Sequence, residues 1–205
     1  PINKLVSHAQ LIGHGSFNTR VEINRSDELG DLADSLNKMA GDLAHHTEEI
    51  QYLAFHDTLT NLPNRRYLLE SLDSIVNHCA HNGRSFSLLF VDIDNFKTIN
   101  DSYGHDAGDF ILTAVVERIR QSLRPGTQTA HSHTYEFEQP TIARLAGDEF
   151  VIILPDTDKS FGAAAVSEKI LGNLSQEQRW NDTLIPLSVS IGIAVYPDNG
   201  TNAET

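Results

Sequence analysis

The chain has 205 residues, and its 28 acidic side chains outnumber 15 Lys and Arg to give a net charge of −13. An acidic protein is a poor partner for a nucleic-acid backbone, and it needs cations to bind a triphosphate. The single cysteine excludes an internal disulfide and fits a reducing compartment. The sequence contains no run of eighteen or more apolar residues, which is the length needed to span a membrane.

Two helices are predicted over residues 1–56. A short apolar stripe over residues 2–12 stops at Gly13, and a longer stripe follows with Ser26 as its predicted N-cap. The longer stripe keeps a heptad spacing at Leu29, Leu32, Leu36, Met39, Leu43, His46, Ile50 and Leu53. We expect a parallel dimer with a four-helix bundle, because neither helix can bury its stripe alone. A helical hairpin packed on its own domain is the alternative.

His46 interrupts this stripe at a core position. We interpret it as a tolerated histidine near the surface, and the alternative is a polar layer that sets the register or responds to pH.

The next elements are a helix and a buried strand. The helix is predicted over residues 64–82, with Asn64 as its N-cap and Gly83 at its end. The strand is predicted over residues 86–91, where the sequence is apolar and rich in β-branched and aromatic residues.

This strand stops at two carboxylates, Asp92 and Asp94. Charge at the edge of a core needs a partner such as a metal ion, although a solvated acidic turn is the alternative. The polar residues and glycines that follow can read a base edge or bind phosphate oxygens. They are Asn95, Phe96, Lys97, Asn100, Asp101, Gly104, His105, Asp106, Gly108 and Asp109. The composition predicts a nucleotide pocket.

A second acidic point lies on a predicted hairpin. Strands are predicted over residues 142–145 and 150–154, with Asp148 and Glu149 at the tip of the turn. If the hairpin lies beside the first strand, its carboxylates converge with Asp92. Acidic clusters that meet at strand ends can hold Mg²⁺ for phosphoryl or nucleotidyl transfer.

The remaining elements complete a βαββαβ order. Helices are predicted over residues 107–123 and 161–174, and a last strand pair ends in LSVSIGIAVYP. This order predicts a mixed sheet with helices on one face, as in a polymerase palm or a class III nucleotide cyclase.

Three motifs carry a resemblance to a known family. They are DTLTNLPNRR at residues 57–66, DIDNFKTINDSYGHDAGD at residues 92–109 and RLAGDEF at residues 144–150. In this order they resemble the GGDEF family of diguanylate cyclases. The resemblance implies that Asp92 and the Ile93 carbonyl bind Mg²⁺ or Mn²⁺. It also implies that Asp148 is a metal ligand and the base for a 3′-hydroxyl, with Glu149 as the acidic residue beside it.

The same resemblance implies a GTP site. Its members are the guanine readers Asn100 and Asp109, the pocket residue His105, and the phosphate-binding residues Asn95, Phe96, Lys97 and Gly147. Asp94, Asp101 and Asp106 are interpreted as turn and cap residues instead of ligands.

The N-terminal pieces Pro1-Ile2, DELG at residues 27–30 and LNKM at residues 36–39 resemble a HAMP domain. Such domains usually follow a transmembrane helix, so the resemblance implies a homodimeric cytoplasmic fragment of an inner-membrane protein with an upstream transmembrane sensor. The expected fold class is α+β, with an all-α HAMP helical hairpin or coiled coil before the βαββαβ domain.

The expected domains are a HAMP domain with its signalling helix at residues 1–56 and a GGDEF domain at residues 57–205. We expect the second domain to stop before a C-terminal helix on which the family carries a lysine and an arginine for the triphosphate.

Three features depart from the family pattern. Ala146 replaces the first glycine of the signature, and we expect one methyl to be tolerated. Arg124 matches the inhibitory product site, but Thr127 replaces its aspartate, which predicts weak or absent feedback inhibition. Residues 128–140 form an insertion that we expect to be a solvated loop, and a metal site at its two histidines is the alternative.

The leading functional hypothesis is an enzyme that condenses two GTP to cyclic di-GMP and two pyrophosphates, with one GTP per protomer and the HAMP dimer controlling how the half-sites meet. The alternative is a catalytically silent GTP-binding domain that regulates a downstream EAL-type phosphodiesterase domain. Asp92, Asp148 and Glu149 favour the enzyme, whereas Ala146, the insertion and the expected truncated end leave room for the alternative. A purely structural adaptor is the third reading.

Overall fold

The computed structural model describes residues 1–23, 25–123, 139–155 and 159–202, with the side chains of residues 159–161 excepted. Contacts divide the chain into two units, Pro1–Ala54 and Phe55–Thr205. Arg124, Thr127 and most of the 128–140 insertion lie outside the described residues, so the predictions made for them stay predictions.

A membrane-spanning helix is not found among the described residues, since none of their helices has the necessary length and apolar content.

The first unit contains helices α1 (Ile2–Gly13) and α2 (Glu28–Phe55). Its small core joins both helices to the connector between them, through Leu5, Val21 and Ala33 with Ile23, Leu29 and Leu36 against them. The Asn37 carboxamide holds the connector by accepting a hydrogen bond from the Val21 N–H and donating one to the Val21 carbonyl, each at 2.9 Å. The connector is therefore tied to α2 as well as packed on it.

The N-cap of α2 differs from the prediction. The Oδ1 atom of Asp27, and not the Ser26 hydroxyl, accepts the N–H groups of Leu29 and Gly30 at 3.2 and 3.3 Å. A carboxylate at this position also interacts favourably with the positive end of the helix dipole, which a hydroxyl cannot match.

The second unit is built on a four-stranded sheet with the order β2-β3-β1-β6 and a separate β4-β5 ribbon. The strands are β1 (Phe86–Ile93), β2 (Thr141–Ala146), β3 (Glu149–Pro155), β4 (Gln178–Trp180), β5 (Thr183–Ile185) and β6 (Val189–Tyr196). The helices are α3 (Arg65–Asn82), α4 (Phe96–Tyr103), α5 (His105–Ser122) and α6 (Lys159–Leu174). The α+β class is confirmed.

The expectation of a mixed sheet is wrong, because every described strand pair is antiparallel. Each helical crossover does join parallel strands, β1 to β2 and β3 to β6, but another strand lies between the two in both cases. This split βαβ arrangement removes parallel neighbours from the sheet. The predicted last strand is present as β6, but its pairing with the strand before it is wrong, since β5 pairs with β4 whereas β6 joins β1.

The expectation of helices on one face is wrong as well. Leu89, Val91 and Ile93 of β1 belong to the main core, which also includes buried residues of α5 and α6. A second core on the opposite face joins Phe86 of β1 to α3 residues such as Ile75. Alternation along β1 therefore supplies two cores, because successive side chains point to opposite faces of a strand.

Local signals located α3 well, and the structure confirms both of its predicted ends. Asn64 Oδ1 accepts the Tyr67 N–H at 3.1 Å, and Gly83 closes the helix with φ of 64°. Helix α4 was not predicted, and it occupies half of the polar stretch that follows β1. Ile99 is its only buried residue, so the stretch carries no apolar periodicity that would reveal a helix.

Candidate active site

One end of the two central strands, β1 and β3, brings the acidic residues of two distant motifs together. Asp92 lies opposite Glu149 in the antiparallel register of β1 and β3. Asp148 occupies the turn before Glu149, next to Gly147 with φ of 55°. Glycine adopts this left-handed conformation without strain, which allows the turn to be short and keeps Asp148 at the end of the hairpin.

The acidic neighbours of Asp92 make its ionised form less favourable. Its pKa lies above the ordinary value, first because of desolvation and then because of the negative charges of Asp148, Glu149 and Asp94. Each of these carboxylates disfavours ionisation of Asp92, as like charges do at short range. The ionised carboxylates of this site therefore repel one another, and a bound cation would reduce that repulsion.

Asp94 has a structural partner of its own. Its Oδ1 accepts a hydrogen bond from the Ser190 hydroxyl at 2.7 Å, and its N–H donates to the Ser188 carbonyl at 3.0 Å. These contacts tie the end of β1 to β6, in agreement with the interpretation of Asp94 as a turn residue.

The predicted phosphate-binding residues lie at the start of α4. Asn95 precedes the helix with φ of 57° and makes no side-chain capping bond, and Phe96 and Lys97 are its first two residues. The first N–H groups of a helix have no partner within the helix, and the helix dipole is positive there. This end of α4 can therefore bind an anion, directly after the strand that carries Asp92.

The predicted base-binding residues lie on α4 and α5. Asn100 belongs to α4, His105 is the first residue of α5, and Asp109 lies one turn further along α5. The Asn100 carboxamide lies against Gly108, because a Cβ built on that glycine would be 2.0 Å from Asn100 Oδ1. The side chain of Asn100 and the backbone next to Asp109 are thus in contact.

Two residues of this region were given no role by the sequence analysis. Arg144 of β2 donates from Nη1 to both carboxylate oxygens of Asp57, at 2.9 and 3.0 Å. It also donates from Nε and Nη2 to the carbonyl of Gly147, at 2.9 and 2.7 Å. Arg144 therefore clamps the hairpin turn that carries Asp148 to the loop that opens the second unit. Asp57 and Arg144 lie inside the motifs at residues 57–66 and 144–150, and that position was the sequence signal that could have identified them.

The loop at Asp57 is itself well ordered by hydrogen bonds. Asp57 Oδ1 accepts from the N–H and the hydroxyl of Thr60, at 2.8 and 2.6 Å. Burial alone raises the pKa of Asp57, but the bonds from Thr60 and then from Arg144, with the charge of Arg144, lower it below the ordinary value. The carboxylate is therefore held in its ionised form.

Comparisons with known proteins identify a family for each part of the chain. The family described as diguanylate cyclase, GGDEF domain, matches residues 54–205, and the HAMP domain family matches residues 1–45. A bifunctional diguanylate cyclase/cyclic di-GMP phosphodiesterase of Pseudomonas aeruginosa, MucR, is 40% identical over 162 residues, which are 79% of this chain and 22% of that protein. The cyclic di-GMP phosphodiesterase NbdA of the same organism is 31% identical over 169 residues, which are 82% of this chain and 20% of that protein.

A solved structure resembles the fold at similar coverage. The coiled coil and GGDEF domain of DgcB from Caulobacter crescentus, in complex with c-di-GMP, matches with a TM-score of 0.67 and 28% identity, over 83% of this chain and 84% of that one. The chain spans about a fifth of the length of the two curated relatives. From the family match and the identity to MucR, the chain belongs to the diguanylate cyclase GGDEF-domain family, with a HAMP domain before the GGDEF domain.

Proposed function

We propose that this chain acts as a diguanylate cyclase, which condenses two GTP molecules into cyclic di-GMP and releases two pyrophosphates. In each half-reaction the 3′-hydroxyl of one GTP attacks the α-phosphorus of the other, and the bond to pyrophosphate breaks. The observation that carries the proposal is the β1–β3 register, which sets Asp92 opposite Glu149 and beside the turn of Asp148. Membership of the family supports the same activity.

The oxygen donors at this edge fit a hard divalent cation, Mg²⁺ or Mn²⁺. Within the described ranges, no three His, Cys, Asp or Glu side chains already form an enclosing metal cage. Mg²⁺ is commonly held by one or two carboxylates together with substrate phosphates and water, so such a cage is not required. The proposed ligands are the carboxylates of Asp92, Asp148 and Glu149 and the carbonyl of Ile93. The bound cation would neutralise triphosphate charge and favour attack by a hydroxyl.

The protein groups have separate proposed tasks. Asp148 is the proposed base that accepts the proton of the 3′-hydroxyl, and Arg144 keeps the turn that carries Asp148 in place through Gly147. The N–H groups of Asn95 and Phe96, with the ammonium of Lys97, are proposed to bind the phosphates at the start of α4.

The base is proposed to bind between α4 and α5. An amide and a carboxylate together can match the donors and acceptors of guanine, which is the proposed role of Asn100 and Asp109. His105 is proposed to line the same pocket from the first turn of α5.

A dimer is needed because each GGDEF domain would hold one GTP. The apolar stripe of α2 supports a second copy as the partner, since Leu32, Met39, Ile50 and Leu53 are about half exposed or more in the single chain. A parallel coiled coil would bury these side chains. We propose that the HAMP dimer controls how the two half-sites meet, and that it links the enzyme to a membrane sensor on the cytoplasmic side.

The activity is tested by incubating the protein with GTP and Mg²⁺ and detecting cyclic di-GMP and pyrophosphate by mass spectrometry and a coupled phosphate assay. The wild-type protein should form both products, and Asp148→Ala should lose them. Asp73→Ala is the matched control, because Asp73 is an exposed carboxylate on α3. If wild type and Asp148→Ala both lacked product while binding GTP as folded dimers, the cyclase proposal would be wrong.

The second candidate is a silent GTP-binding domain that regulates a downstream EAL-type phosphodiesterase domain. One observation favours it: NbdA, which is 31% identical over 82% of this chain, is named only as a phosphodiesterase. Ala146 in place of the first signature glycine is compatible with this role. GTP binding without turnover, together with GTP-dependent hydrolysis of cyclic di-GMP by the longer protein, would select this candidate.

A further inference from the structure

The backbone conformation at position 108 does not require glycine. Gly108 lies in the first turns of α5 and is buried, and it does not adopt the left-handed conformation seen at Gly104 and Gly147. Glycine is a poor residue inside a helix, because it loses more conformational freedom than any other residue. A neighbour must therefore explain why a side chain is absent here.

That neighbour is the carboxamide of Asn100. A Cβ on residue 108 would lie 2.0 Å from Asn100 Oδ1 and 3.0 Å from Asn100 Cγ, and its next contact would be Phe96 Cζ at 3.2 Å. The shortest distance is impossible for real atoms, but it involves the end of a side chain and not backbone. A methyl group at position 108 would consequently displace the carboxamide, while the helices could keep their packing.

The position of this carboxamide depends on packing. The backbone of Asn100 belongs to α4, and its carbonyl accepts the Gly104 N–H at 2.9 Å. No described protein group is hydrogen-bonded to the carboxamide, so its donors and its acceptor remain available to a ligand. Contact with the Gly108 backbone then fixes where they point.

We infer that Gly108 is a positioning residue for base selection, because it lets the Asn100 carboxamide lie against the backbone directly before Asp109. Only glycine leaves that space, and the contact sets the separation between the amide of α4 and the carboxylate of α5. The inference rests on the proposed function, in which Asn100 and Asp109 bind guanine. A site that pairs with polar atoms of a base discriminates strongly, since a misplaced partner leaves polar groups unsatisfied.

The test compares Gly108→Ala with Gly172→Ala, a control in α6 where an added Cβ meets no atom within 4 Å. Binding of the α,β-methylene analogues of GTP and ATP, which cannot undergo the transfer, is measured with Mg²⁺ by calorimetry. We expect Gly108→Ala to weaken binding of the guanine analogue by about tenfold, the equivalent of one or two hydrogen bonds, and to leave the adenine analogue unchanged. Gly172→Ala should match the wild-type protein.

A double-mutant cycle separates positioning from a general structural effect. Asn100→Ala should itself reduce guanine binding, and adding Gly108→Ala to it should change binding by less than about twofold, because the displaced group is already gone. Additive losses would overturn the inference. So would a Gly108→Ala protein that fails to fold, because the carboxamide would then be unable to yield.

The outcomes also distinguish this inference from the proposed function. If the wild-type protein does not prefer the guanine analogue, the proposed function and the inference both fail. If it prefers guanine, and Asn100→Ala loses that preference while Gly108→Ala keeps it, the inference alone is overturned.

Discussion

The Arg144 guanidinium donates two hydrogen bonds to the Gly147 carbonyl, through Nε at 2.9 Å and Nη2 at 2.7 Å. The remaining arm, Nη1, reaches both carboxylate oxygens of Asp57. One side chain thus connects the turn that carries Asp148 to the loop that begins two residues after α2. Because glycine is conformationally permissive, we expect the bonds from Arg144 to restrict the turn at Gly147 further.

Replacing Arg144 by Lys should reduce both stability and turnover. Lysine offers a compact charge and cannot reproduce the planar fork that reaches Gly147 and Asp57 together. The Arg144–Asp57 pair is largely buried, with 12% and 24% of the side chains exposed, so we expect a loss of about 2 kcal/mol in the free energy of unfolding. Urea denaturation measures this loss, and product formation at saturating GTP measures turnover.

Arg179→Lys is the control for this substitution. Arg179 pairs with Asp182 at 3.9 Å on an exposed surface, where ion pairs contribute little. Equal stability losses for the two variants would show that the Arg144 clamp has no special role.

The pH dependence of stability should report the ion pair at Asp57. The pKa of Asp57 is lowered in the folded state, so the unfolded chain binds the proton more tightly and folding is favoured where the group is ionised. The stability advantage over Asp57→Asn should be full above the ordinary pKa of 3.8 and should disappear as pH falls through the lower folded pKa. Urea midpoints of both proteins between pH 7 and pH 3 test this; a constant gap over that range would contradict it.

Local signals predicted the elements that their own residues determine. Asn64 and Gly83 marked both ends of α3, and a dense apolar run marked β1, because caps and burial patterns are written within a few neighbouring residues. Helix α4 escaped prediction because its eight residues bury only Ile99. The strand pairing of the sheet could not be predicted from neighbouring residues either. Strand β1 pairs with β6, about a hundred residues away, and nothing in β1 specifies that partner.

In the candidate site, too, neighbouring residues predicted some features, whereas others depend on the fold. Asp92, Asp148 and Glu149 could be named because carboxylates at strand ends are a local pattern. The Arg144–Asp57 contact joins residues 87 positions apart, and no spacing within either motif predicts it. The close approach of Asn100 to Gly108 likewise depends on how α4 and α5 pack, which only the fold determines.

The connector of the first unit should depend on Asn37. Its carboxamide pairs with both backbone polar groups of Val21, a residue that is 8% exposed. Asn37→Ala would leave those groups without partners, and unpaired buried backbone groups are costly. Amide hydrogen exchange over residues 19–23 should become faster in Asn37→Ala. Lys38→Ala, which alters an exposed neighbour, should leave it unchanged, and equal exchange in both variants would show that packing alone holds the connector.

Removing charge at Asp92 should stabilise the metal-free protein at neutral pH. The folded pKa of Asp92 is raised, by desolvation and then by Asp148, Glu149 and Asp94. The group therefore contributes stability below the unfolded pKa, and that contribution is lost as pH rises through the folded pKa. In EDTA at pH 7, Asp92→Asn should melt at a higher temperature than wild type.

Mg²⁺ relieves the same repulsion, so it should raise the wild-type melting temperature and have a smaller effect on Asp92→Asn. Asp73→Asn should retain the wild-type response, and an undiminished Mg²⁺ effect in Asp92→Asn would argue against Asp92 as a ligand.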